Sequence, residues 1–424
     1  MNAMSLAIAA SALLLYSLVS GRLQGTIITA PLVFAAFGLA IGAGGFGLAE
    51  LDFEHDVIHV VAELTLILVL FTDAARINLS SVKRDHDLPV RMLVIALPLA
   101  VLAGTVVAMG LFPALMFWEA ALLAALLAPT DAALGQAVVS AREVPVRIRQ
   151  AINVESGLND GIVLPAVLLF AALASAESEA ASARPWVQFI LQQLTLGPLV
   201  GVVLGYLGAR LLDMAAERNW ASTEYQGIGI LSLAILTYLT AELVGGNGFI
   251  AAFIGGMVFG NCLRHPCTFL FEFMETEGQL LMLITFLVFG AALLPEGIEH
   301  FKPEYLIYAL LSLTVIRMIP IAVSLIGARV SLPTQLFLGW FGPRGLASIL
   351  FVLLVLEEAD VANREMLLSV TMITVALSTL LHGITAAPLA KRYGRMAESM
   401  GECAENQPVP ELPLRAGPME AMKD

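Results

Sequence analysis

The chain has 424 residues, 58% of them hydrophobic and 13% charged, and a mean hydropathy of +0.86. A soluble domain carries about 25% charge, so this is a polytopic membrane protein without a large soluble domain. The formal net charge of −13 leaves no basic stripe to neutralise phosphates and argues against a nucleic-acid partner. Cys262, Cys267 and Cys403 form an odd set with no paired metal spacing and read as free thiols.

Apolar windows long enough to cross a hydrocarbon core, about 17 to 25 residues, recur about thirteen times along the chain. They fall near 4–20, 26–49, 57–75, 89–111, 114–139, 150–174, 186–213, 222–244, 246–261, 277–294, 304–327, 334–356 and 366–390. The first has no basic stretch before it and reads as a retained helix, not a cleaved signal. The eighth and ninth meet at Gly245 to Gly248 and could form one broken helix. After Leu389 the chain turns polar. Residues 394–424, with Pro408, Pro410, Pro413 and Pro418, read as a disordered cytoplasmic tail behind a transmembrane domain of residues 1–393.

Lysine and arginine sort the loops. One set carries Arg22, Arg76, Lys83, Arg84, Arg91, Arg142, Arg147, Arg149, Arg210, Arg218, Arg264 and Arg329, joined by Lys391, Arg392 and Arg395. The other holds Arg184, Lys302 and Arg364 among acidic runs. An odd number of spans follows, with the N-terminus outside and the C-terminus in the cytoplasm. The basic loop from Arg142 to Arg149 fits this topology and could also touch anionic lipid. Arg317 and Arg344 fit no loop and lie inside the eleventh and twelfth windows.

Two windows are interrupted at corresponding positions. The fifth contains Ala128-Pro129-Thr130-Asp131-Ala132, and the twelfth contains Gly339-Trp340-Phe341-Gly342-Pro343-Arg344-Gly345. Proline removes a donor and clashes with the preceding turn, so each helix is expected to unwind there. A matched pair of broken segments points to inverted repeats with a site where they cross. An ordinary proline kink is the bland alternative, made less attractive by a charged residue beside each break.

Between them lies Asn153-Val-Glu-Ser-Gly-Leu-Asn-Asp-Gly161, opening the sixth window. A charge near the bilayer centre costs roughly 2.5 to 3.5 kcal/mol even on the mild insertion scale, and such residues face a bundle interior or a wet cavity. Ser156 and Asp160 share one helical face, and Glu155 and Asn159 share the next. One face could bind a cation while the other holds the structure. Packing alone is the rival reading for these polar residues. Carboxylate, hydroxyl and carbonyl oxygens suit a hard alkali cation.

Ala128-Pro-Thr-Asp131, Glu155-Ser-Gly-Leu-Asn-Asp160, Arg317 and Gly342-Pro-Arg344-Gly345 together resemble the NhaP-type branch of the monovalent cation:proton antiporters, relatives of the animal sodium/hydrogen exchangers. The resemblance covers about residues 4 to 390. It implies an all-α fold of about thirteen spans, with the fifth and twelfth crossed, a core bundle mainly at 89–174 and 304–390, and a scaffold that forms a homodimer. Asp160 would take cation and proton in turn, with Thr130, Asp131 and Ser156 completing the coordination. Glu155 would pair with Arg317, and Arg344 would satisfy opened carbonyls or hold the crossing. Where electrogenic relatives carry a second aspartate, Asn159 cannot ionise, which implies electroneutral one-for-one exchange.

The expected activity is therefore antiport of Na⁺, or of Li⁺ or K⁺, against H⁺ in a bacterial inner membrane. No enzymatic activity and no cofactor are expected, and no nucleotide-binding Gly-x-x-x-x-Gly-Lys-Ser/Thr run is present. A sodium-coupled organic anion symporter on the same architecture is the first rival. An intramembrane aspartyl protease using Asp131 and Asp160 is the second, although Leu158-Asn159-Asp160 lacks the Gly-x-Gly-Asp pattern such proteases resemble. Glu63 and Asp73 on the third helix, Glu242 on the eighth and His382 on the last stay open between structural and functional roles.

Overall fold

The computed structural model describes residues 3–23, 26–42, 44–47, 55–77, 79, 87–131, 134–178, 183–264, 268–400 and 404–406. Lys83, Arg84, Cys267, Cys403 and the proline-containing stretch from 407 onward lie outside them. Helices account for every expected window. In chain order they are α1 (Ala3–Leu23), α2 (Ala30–Ile41), α3 (His55–Ala75), α4 (Asp87–Leu111, with a π turn at Met92–Ala96) and α5, in pieces Phe117–Leu126 and Gln136–Val139. Next come α6 (Val146–Ser178), α7 (Ala183–Glu217), α8 (Thr223–Leu243), α9 (Gly248–Cys262) and α10, running Thr268–Val288, a π turn Phe289–Leu293, then Leu294–Glu299. The last three are α11 (Pro303–Leu313 and Val315–Ser324), α12 (Leu332–Trp340 and Leu346–Glu358) and α13 (Arg364–Ser399). Seven of the described helices are long and apolar enough to cross a membrane unaided.

Gly245 takes a left-handed turn (φ 79°), so α8 and α9 are separate helices, with Glu242 and Asn247 side chains accepting the Gly248 and Ile250 N–H groups of α9. Among the described residues no strand occurs, as a chain spanning lipid requires of any structure other than a closed barrel.

Two groups of helices emerge from the packing. α4 lies on α5, α5 on α6, and α11 and α12 on α13; α9 lies between α3 and α7. Without a hydrophobic drive in lipid, helix association depends on close backbone approach at small residues. Gly256 and Gly260 of α9 press on the Phe71 and Ala75 carbonyls of α3, while Gly201 and Gly205 of α7 press on the backbone of Ala251 and Gly255.

At one end of the bundle the loops before α6 and α12 meet the chain's last described residues. Arg147 Nη1 donates to the Ala404 carbonyl at 2.6 Å, and the Ser331 N–H to Glu405 Oε1 at 2.7 Å. Two expectations change here. Arg147 and Arg149 are buried, and Arg149 donates to the Val144 and Val139 carbonyls, so these two guanidinia are held inside the protein and are not spread over lipid. The expected disorder also does not begin at residue 394. α13 runs on to Ser399 with Tyr393 and Ala397 buried, and Glu405 is 2% exposed. The disorder signal came from prolines that begin at Pro408, whereas Arg392 to Ser399 contains no helix breaker other than Gly394, which packs against Glu143.

A Gly260→Val substitution should drive a side chain into the α3 backbone and destabilise the protein by about 1–3 kcal/mol, the usual range for overpacking. Thermal unfolding of the purified protein in detergent checks this, and an unchanged melting temperature would refute the tight α3–α9 contact.

Candidate functional site

The breaks in α5 and α12 meet in the interior and complete each other. After α5's first piece the chain is extended from Pro129, which cannot donate to a helical carbonyl. The freed carbonyls of Ala128 and Pro129 accept from Arg344 Nη1 at 2.8 and 3.1 Å. Arg344 belongs to α12, so a cation from one break sits at the negative end of the other's helix. In return, Asp131 Oδ2 accepts the N–H of Leu346 at 2.8 Å, at the amino end of α12's second piece, and the Asp131 N–H donates to the Pro343 carbonyl at 2.8 Å. Glycine is required twice. A Cβ on Gly345 would fall inside the Asp131 carboxylate, and one on Gly342 inside the Arg317 guanidinium.

α6 passes the crossing with its polar run. Glu155 is bound in a two-pronged pair by Arg317, Nη1 to Oε1 at 3.0 Å and Nη2 to Oε2 at 3.2 Å, with both side chains buried. Thr130 Oγ1 donates to Glu155 Oε2 at 3.2 Å and accepts from Asn159 Nδ2 at 2.5 Å. The Thr130 proton is committed to the carboxylate, which fixes the Asn159 amide with its nitrogen toward Thr130. Asn159 Oδ1 is consequently buried with no donor. Ser156 Oγ donates to the Thr130 backbone carbonyl at 2.6 Å, tying α6 to α5's break.

Asp160 differs from the other two acids. Its Oδ1 is buried and accepts no hydrogen bond, while the residue as a whole keeps partial exposure. It lies within electrostatic reach of Asp131 and Glu155. One residue on, Gly161 lies flat against the Phe253 ring of α9, and Gly157 faces Ile77 at the end of α3. Asp160 therefore lies beside the seam between the two helix groups. Pro165, within α6, has no N–H for the Gly161 carbonyl and loosens the next turn.

The structure thus gathers Thr130, Asp131, Glu155, Ser156, Asn159, Arg317 and Arg344 into one network, with Asp160 on the same helix. The last helix adds two contributors: Ser378, which the sequence does not single out, and His382, which it leaves open between packing and function. Ser378 Oγ accepts the Arg344 N–H at 2.7 Å, and His382 Nε2 meets the Trp340 carbonyl at 2.9 Å, so α13 brackets α12's break on both sides. His382 also stacks on the Trp340 ring. Only a hydroxyl and an imidazole four residues apart on the last helix hinted at this. Glu242 is exposed and caps α9, and Glu63 and Asp73 are half-buried on α3.

The transmembrane model of the sodium/hydrogen exchangers matches residues 8–392. The chain belongs to the sodium/hydrogen exchanger family. It is 25% identical over 388 residues to the K(+)/H(+) antiporter NhaP of Alkalimonas amylolytica, covering 88% of this chain and 64% of that protein. It is 26% identical over 393 residues to the K(+)/H(+) antiporter NhaP2 of Shewanella sp. (strain ANA-3), covering 91% and 66%. The chain therefore spans slightly under two thirds of the length of these relatives. Among solved structures, the sodium proton antiporter MjNhaP1 from Methanocaldococcus jannaschii has the same fold, with a TM-score of 0.76 at 22% identity over 94% of this chain and 99% of that one.

Breaking one partner of a buried ion pair leaves an uncompensated charge, which costs about 3–5 kcal/mol, whereas replacing both partners is close to neutral. Glu155→Leu or Arg317→Leu should each destabilise this exchanger-family protein strongly, and the double variant should recover most of the loss. Thermal unfolding of the four proteins forms the cycle; additive losses would show that the pair does not act as a unit.

Proposed function

We propose that the protein exchanges a monovalent alkali cation, Na⁺ or K⁺, for H⁺, with both competing for the Asp160 carboxylate. The observation that supports this reading is the buried Oδ1 of Asp160 without a donor, beside the crossing of two broken helices. A buried acceptor left unpaired is unfavourable by about 1–3 kcal/mol, and more if charged. A proton satisfies it, and so does a cation.

The cation would be held by Asp160, the Ser156 hydroxyl and the Thr130 carbonyl. The Ser156 proton is directed to Thr130, which leaves its lone pairs for the ion. Asp131, anchored through Oδ2 to the Leu346 N–H, adds negative charge. Arg317 neutralises Glu155, so the pair contributes no net charge to the transported load. Asn159 is neutral and already engaged with Thr130. The exchange is accordingly electroneutral, one proton for one cation. Proximity of Asp160 to the Gly161–Phe253 seam suits a core of α4–α6 and α11–α13 that moves against a scaffold of the remaining helices and exposes Asp160 to each side in turn. Similarity to K(+)/H(+) antiporters supports K⁺, and the shared fold of a sodium proton antiporter supports Na⁺.

The arginine-rich loops support an orientation with the Arg147 end of the bundle in the cytoplasm and the N-terminus outside, in a bacterial inner membrane. By the family resemblance, the scaffold would supply the contact of a homodimer.

Reconstituted liposomes with an internal pH dye test the proposal. Addition of Na⁺ or K⁺ should move protons in wild type and not in Asp160→Asn; equal signals would refute Asp160 as the site. The wild-type rate should not change when the membrane potential is clamped at different values, and a rate that follows the potential would contradict electroneutrality. Gly161→Val should slow exchange by tenfold or more, on the order of 1.4 kcal/mol in barrier, by wedging the seam at Phe253. An unaltered rate would place the moving interface elsewhere.

A further inference from the structure

The two halves of the inverted repeat finish their broken helices with a carboxylate, but from different sources. At the amino end of α5, Glu119 is the third helical residue, and its Oε2 accepts the N–H of the capping residue Met116 at 3.0 Å. The same carboxylate takes the Asn363 N–H and Nδ2 at 2.9 and 2.8 Å, which joins the starts of α5 and α13. This is the reciprocal bond of a capping box.

At the opposite end, α12 begins after Ser331, and the third helical position is Thr334, whose hydroxyl meets the Ser331 hydroxyl at 2.9 Å and leaves the Ser331 backbone N–H to another acceptor. Its first turn contains no acid. Glu405 occupies the place instead. Its Oε1 accepts the Ser331 N–H at 2.7 Å and the Thr334 hydroxyl at 3.0 Å. Thr334 also bonds to the Tyr393 hydroxyl of α13 at 2.8 Å. On either side, Ala404 accepts from Arg147 at the start of α6, and Asn406 Nδ2 donates to the Ala397 carbonyl of α13 at 2.9 Å. Three consecutive residues beyond the last helix therefore hold α6, α12 and α13 together.

We propose that Glu405 is a positioning residue for ion exchange: it substitutes for the acid missing from α12 and fixes the three helices whose middles form the site. α6 carries Glu155, Ser156, Asn159 and Asp160; α12 carries Arg344 and Gly345; α13 carries Ser378 and His382, which bracket the break. All three belong to the core, so the clamp holds throughout the transport cycle. It does not tie core to scaffold and is not an inhibitory strap. Removing it loosens the coordination of the cation without removing any ligand.

This inference rests on the assignment of Asp160 as the exchange site. It is tested by measuring exchange rate against cation concentration in liposomes containing the full chain as wild type, Glu405→Ala, Glu405→Gln and Glu405→Ala combined with Thr334→Glu. Glu405→Ala should raise the half-saturating cation concentration several-fold while the maximal rate per folded protein is largely kept. Glu405→Gln retains an acceptor oxygen and should stay close to wild type, and Thr334→Glu should bring the half-saturating concentration back by rebuilding the resident acid seen at Glu119. Half-saturation unchanged in Glu405→Ala, a fall in maximal rate alone, or failure of the Thr334→Glu rescue would each overturn the proposal. A wild type that exchanges nothing would instead contradict the antiport reading itself.

Discussion

The structure depends on an exchange of charge between two helix breaks. An unwound helix inside a bilayer leaves carbonyls and N–H groups without water, each unfavourable by several kcal/mol unless satisfied. Each break here is completed by a residue of the other. Arg344 meets the open carbonyls of Ala128 and Pro129, and Asp131 meets the open N–H of Leu346. Neither break is tenable alone, and the glycines at 342 and 345 allow the approach that makes them tenable together.

Once the crossing is in place, the surrounding acids have distinct fates. Glu155 has a guanidinium across two bonds, and Asp131 has a helix amino end. Asp160 retains a buried oxygen with no donor. Of the three acids, the one proposed to carry the ion is the one that the rest of the network leaves without a partner. Because the same helix turns a glycine toward Phe253 one residue later, the unsatisfied group lies where two bodies meet. A site that must open to opposite sides in turn has to lie at such a seam.

Much of this was legible in the sequence, for local reasons. Pro129, Pro343 and their glycines break helices by covalent geometry alone, and the four-residue spacing of Glu155 with Asn159 and of Ser156 with Asp160 sets their faces. The positions of Arg317 and Arg344 inside apolar windows already required buried partners. Roles that depend on distant chain segments were not legible. Asp131 reads as a cation ligand from the sequence, and nothing local to it shows that its Oδ2 also holds the Leu346 N–H, 215 residues away. Glu405 looks like an exposed surface acid, although it is buried and closes a helix, because its partner is 74 residues away, and the tie of Glu119 to Asn363 spans 244 residues. The composition of the tail concealed the docking of Glu405, since the prolines that follow dominate any reading by content.

The central claim is that one carboxylate serves cation and proton alternately, and calorimetry of cation binding to the purified protein tests it most directly. A cation that displaces the Asp160 proton must release about one proton per ion bound, as binding coupled to deprotonation requires. Titrations in two buffers of different ionisation enthalpy should therefore give different apparent heats for wild type, and no binding heat for Asp160→Asn. Wild-type heats independent of the buffer, at a pH where cation binds, would show that ion and proton do not share the site and would contradict the account.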